Sequence, residues 1–172
     1  MDELTRFIDV WNHESDKTVG LLRALPGDQY DFRPDAKGRS LGELAWHLAE
    51  GDAYITHGIE RGQFDPAVKP PAIERPKQIE ALAAGFERVH RDAVARVRKL
   101  TVADLDRSVS FLTIGPMTIR DMLWSMMLLH GIHHRGQLAL MCRLAGGRPT
   151  GLFGPTREEM PVPRATDAAA SR

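Results

Sequence analysis

The stretch LLHGIHHRGQL, residues 128–138, places His130, His133 and His134 within little more than one helical turn. Neutral imidazole is the commonest metal-ligating side chain, and residues at i and i+4 of a helix lie one above the other on one face. Two such rings repel when protonated and leave nitrogens in need of partners when neutral. A divalent cation answers both problems. The spacing therefore raises a metal site, with a polar spot in a packed core as its alternative. A second segment, ELAWHLAE, adds His47, with Glu43 and Glu50 at i−4 and i+3 and Tyr54 on the same side two turns on.

At about 100° of rotation per residue, Ile119, Leu123, Met126, Gln137, Met141 and Leu144 fall within about 40° of His130. His130 is thus expected at the middle of a buried face. His134 lies about 40° to one side and His133 about 60° to the other, and spacing does not choose between them. Cys142, about 120° round, is a poor ligand. His13, His57 and His90 read as solvated or edge-packed, and Met126-Met127 as core filling.

Four helices are needed to carry these groups. Leu4, Phe7, Ile8, Trp11, Val19 and Leu22 mark the first, which Pro26 and Gly27 stop. Ser40 and Glu43 make the capping-box pattern S-x-x-E before a helix from about Leu41 to Gly62. Ile79, Leu82, Phe86, Val89, Ala93, Val97 and Leu100 stripe a third, starting near Lys77. Val109, Phe111 and Ile114, followed by Gly115-Pro116, predict a short extended segment or hairpin. Thr118 then caps a last helix that reaches Leu144 and ends at Gly146-Gly147. The fold expected is all-α, a four-helix bundle with long crossover connections, occupying residues 1–156 as one domain with a flexible tail over 157–172.

Composition narrows the function. Of 172 residues, 27% are charged and 42% apolar, the balance of an ordinary globular protein. Lys plus Arg and Asp plus Glu are equal at 23 each, which argues against nucleic-acid binding. One cysteine, Cys142, leaves no internal disulfide. No stretch approaches the roughly 20 apolar residues of a membrane span, and MDELTRFIDVWNHE lacks the pattern of a signal peptide. A cytoplasmic protein without membrane contact is expected.

HGIHHRGQLALMCRLAG resembles the last-helix motif of the DinB-like superfamily, the damage-inducible and YfiT-type metal-binding bundles. SLGELAWHLAE resembles its second-helix motif, and LFGPT its ending. The likeness runs from about Leu4 to Thr156. It implies a four-helix bundle, a homodimer, and a divalent metal (zinc, nickel or iron) held by His47, His130 and His134. His133 would then lie behind the ligands or line the groove.

Three protein ligands leave the metal open to water or substrate, the layout of a catalytic site. The resemblance further implies a metal-dependent hydrolase, or a transferase or isomerase that uses a small-molecule thiol such as bacillithiol or mycothiol on a small electrophile. Glu43, Glu50 or Tyr54 would assist proton transfer or orient an imidazole, and Arg135 would hold a substrate carboxylate at the rim. A non-catalytic metal-binding or stress-response module is the alternative.

Overall fold

Asp2 opens the first helix, its carboxylate accepting from the Thr5 N–H at 2.8 Å and satisfying one of the free amides of a helix start. In the computed structural model, which describes residues 1–160, α1 runs Glu3–Arg23 and buries Leu4, Phe7, Ile8, Trp11, Val19 and Leu22. The capping box is present. Ser40 Oγ accepts from Glu43 N–H at 3.2 Å, and Glu43 Oε2 accepts from Ser40 N–H at 2.8 Å. α2 follows as Leu41–Arg61.

α3, Leu82–Val97, begins later than Lys77 because Gln78 is extended and a short 3₁₀ turn, Ile79–Ala81, intervenes. Gly85 lets α3 close onto α2. A Cβ there would lie 2.8 Å from the Trp46 ring, and Trp46 is fully buried, its indole N–H donating to the Ile73 carbonyl at 3.0 Å.

The extended segment is a hairpin. β1, Ser108–Phe111, pairs antiparallel with β2, Gly115–Thr118, with Val109 opposite Met117. Val109 and Phe111 are buried by it, whereas Ile114 at its turn is exposed. Thr118 Oγ1 then accepts from Asp121 N–H at 3.0 Å to start the last helix, residues 119–144. That helix is continuous but not uniform. Ile119–Asp121 is α, Met122–Leu129 is π, and His130–Leu144 is α again. It ends at Gly146, whose φ of +86° a residue with a side chain rarely adopts.

The result is an all-α four-helix bundle with one small hairpin before the last helix. α2 packs on α3 and on the last helix, and α1 packs on the same two. Two apolar clusters fill it. One joins Leu41, Trp46 and Leu82 to Leu138 and Met141, and the other joins Phe7, Trp11 and Ile59 to Val109, Ile119 and Met122. Leu41, Leu82 and Leu138 are each 0% exposed, and burial of such a side chain stabilises by roughly 1.5–3 kcal/mol. Of the expected tail, residues 157–160 form a turn in which Glu158 pairs with Arg143 at 2.9 Å; the rest lies outside the described residues.

The π stretch corrects the helical wheel. A π turn holds more residues than an α turn, so Ile119, Leu123 and Met126 cannot be phased with His130 at a constant rotation. Beyond it the buried strip runs through Arg135, Leu138, Met141 and Cys142, while Gln137 and Leu144 are exposed. His130 and His134 therefore lie along one edge of the buried strip rather than at its middle.

Candidate metal centre

α2 brings His47 against the last helix at the point where α geometry resumes, and His130 is the first residue of that α segment. The His47 ring lies 5.7 Å from His130 and 4.8 Å from His134, centroid to centroid, and His130 and His134 are 4.3 Å apart. All three pairs meet edge to face. One ring nitrogen from each lies within 4.8 Å of the others, making a group suited to a metal ion. His133 is exposed and outside this group, its ring 5.1 Å from that of His134.

Hydrogen bonds fix two of the rings. His47 Nδ1 faces Glu50 Oε2 at 3.2 Å, and His134 Nδ1 faces Gln137 Oε1 at 2.7 Å. Both partner oxygens only accept, so the protons sit on Nδ1 and each Nε2 keeps its lone pair. The Gln137 amide completes the pattern by donating to His133 Nε2 at 3.1 Å. With Nδ1 engaged, the Nε2 lone pairs of His47 and His134 are left to accept a cation.

Electrostatics point the same way. Burial pushes the His134 imidazole down to about 4, outweighing the Gln137 bond, and the charges of His130, His47 and His133 push it the same way. His130 is also lowered, by burial first and then by His47, His133 and Arg39. These rings are neutral at neutral pH, the form that binds metal. Zinc–nitrogen bonds of about 2.0–2.1 Å require ligand nitrogens somewhat closer than 4.8 Å, a contraction within the range of side-chain rotation. The donor set fits a divalent ion of the zinc, nickel or iron kind.

The other residues singled out by sequence are placed differently. Glu50 orients His47. Glu43 is held by its own capping box and by Arg33 at 2.8 Å. The Arg33 and Ser40 hydrogen bonds push its carboxyl down to about 2, which removes it from proton transfer near neutrality. Tyr54 packs against the first apolar cluster. Arg135 is not a rim cation. It is 1% exposed, ion-paired with Glu14, and donates to the Glu14 carbonyl at 2.5 Å, tying α1 to the last helix. His90, read as solvated or edge-packed, is buried between Asp52 Oδ2 at 2.8 Å and Asn12 Oδ1 at 3.0 Å, as a core histidine. His57 is half-buried and His13 exposed. Gln137 is the residue that sequence reasoning missed. Its position at i+3 from His134 and i+4 from His133 was the available signal.

Comparison with known proteins shows the family and the fold. The family model of the DinB superfamily matches residues 11–138. The uncharacterized protein YrdA of Bacillus subtilis (strain 168) is 27% identical over 157 residues, covering 91% of each chain. A DinB-like protein from Bacillus cereus ATCC 10987 has a crystal structure that superposes with a TM-score of 0.69 at 24% identity, over 86% of this chain and 95% of that one. The crystal structure of the DinB-like protein YjoA from B. subtilis gives 0.67 at 20% identity, over 88% and 99%. The chain belongs to the DinB superfamily.

Proposed function

We propose that His47, His130 and His134 together bind one divalent metal ion, and that the protein is a metal-dependent enzyme transferring a small-molecule thiol to an electrophile, or isomerising a substrate through such a thiol. The observation that carries the reading is the convergence of three imidazole nitrogens within 4.8 Å at the edge of the bundle rather than in its core. A structural site needs four protein ligands and enclosure. Among the described residues three candidate ligands converge, and one of them, His134, lines a surface groove.

When bound, the metal would supply the positive charge that favours an ionised thiol or water at neutral pH. The protein supplies orientation. Glu50 and Gln137 hold the protons of His47 and His134 on Nδ1 and keep the opposite nitrogens available. His133 stands on the solvent side with Nε2 occupied by the Gln137 amide, which fixes its proton on Nδ1. Buried Arg135 and its Glu14 partner hold α1 against the helix that bears two of the three histidines.

The test is to load the protein with zinc, nickel or iron in turn and follow consumption of a thiol by small electrophiles. Wild-type turnover that disappears in His130→Ala supports the transferase reading. Metal retention with no thiol-dependent turnover across thiols and metals would leave a metal-binding module instead.

A further inference from the structure

Beside His134 the surface falls into a groove of about 220 Å³, lined among others by Leu44, Met141, Arg39, Asp35 and Gln137. Leu44 and Met141 are 5% and 9% exposed, so they present a fixed apolar wall. Three arginines gather at this end of α2. Arg33 and Arg75 are both engaged by Glu43, at 2.8 and 3.6 Å. Arg39 has no acidic partner within 4.0 Å among the described residues. Asp35, the acid of the lining, accepts from the Lys37 N–H at 3.1 Å within its own turn. Arg39, unpaired among the described residues and lining an apolar groove that also reaches His134, matches a molecule with an apolar body and an anionic head.

We propose that this groove is the substrate subsite of the histidine centre and takes a small monocarboxylate, its apolar body against Leu44 and Met141 and its carboxylate paired with Arg39. The proposal rests on the reading of that centre as a catalytic metal site. Asp35 sets the charge limit, since a second negative group in so small a groove would meet its carboxylate.

Benzoate and benzyl alcohol, equal in shape and different in charge, are the probes. Each is titrated into the full chain carrying methyl-labelled methionine, with zinc loaded and after chelation, and the Met141 methyl resonance is followed. Benzoate should shift that resonance and bind about fivefold more tightly than the alcohol, the range of a solvent-exposed ion pair. Arg39→Gln should erase the margin, and Arg39→Lys should keep most of it. Benzoate bound equally by wild type and Arg39→Gln, or bound without moving the Met141 methyl, overturns the proposal. So does binding that needs zinc and ignores Arg39, because the carboxylate would then be a metal ligand. Elemental analysis keeps the two readings apart. Arg39-dependent binding in chelated protein that also takes up no metal would uphold the subsite while removing the metal.

Discussion

His134 Nδ1 lies 2.7 Å from Gln137 Oε1, and that bond leaves Nε2 as the nitrogen His134 offers to the cluster. Gln137→Ala frees the ring to turn and to change tautomer. Loss of such an orienting partner typically weakens metal affinity by about 10–100-fold. Competition with a chromogenic chelator should show a loss in that range. Gln137→Glu, which keeps an accepting oxygen, should lose less. Unchanged affinity in Gln137→Ala would mean that packing alone orients the ring.

Acid should destabilise the metal-free protein through the same residue. His134 titrates near 6.5 when unfolded and is pushed down to about 4 when folded. Between those values the unfolded chain holds the extra proton, so the stability contribution is complete above about pH 6.5 and is lost as pH falls toward 4. The melting temperature of chelated protein should therefore drop between pH 7 and pH 4.5, and drop less steeply in His134→Asn. A wild-type curve that is flat or rising with acid over that window contradicts the burial of a neutral imidazole.

Glu14 and Arg135 form the pair that fastens α1 to the last helix. Burial raises the Glu14 carboxyl, and the Arg135 and Lys17 bonds outweigh it, so the group stays below the usual carboxylate range. Removing one member strands the other. Glu14→Ala or Arg135→Met alone should cost about 3–5 kcal/mol in denaturant unfolding. The double variant should cost less than the sum of the two.

The cap of α2 is worth testing because it positions His47. Ser40→Ala removes the acceptor for Glu43 N–H and should lower stability by about 1 kcal/mol. The urea midpoint should move while the slope stays constant. An unchanged midpoint would show that Arg33 and Arg75 hold Glu43 well enough to start the helix without the hydroxyl.

Most of the frame was legible because it rests on local rules. The S-x-x-E box, the Thr118 cap, the stripe from Leu4 to Leu22 and the stop at Gly146 are each written in a few neighbouring residues. His47, His130 and His134 were legible as a set only when the family likeness joined two distant motifs. Spacing alone left His133 and His134 equal, and their separation here comes from the way α2 approaches the last helix. What failed depended on tertiary context. Nothing in MLWSMMLL announces a π stretch, so the wheel built through it set His130 at the centre of a buried face. Arg135 reads as a rim cation for a substrate carboxylate until Glu14, 121 residues away in sequence, is placed beside it. Gln137 was seen as part of a face and not as the group that fixes His134.

Metal content tests the central claim most directly. Untagged wild-type protein, incubated with one divalent metal and desalted, should carry close to one ion per chain by elemental analysis. His47→Ala, His130→Ala and His134→Ala should each lose most of it, while His133→Ala retains it. Equal metal in wild type and all three ligand variants, or loss in His133→Ala with retention in His134→Ala, would contradict the account.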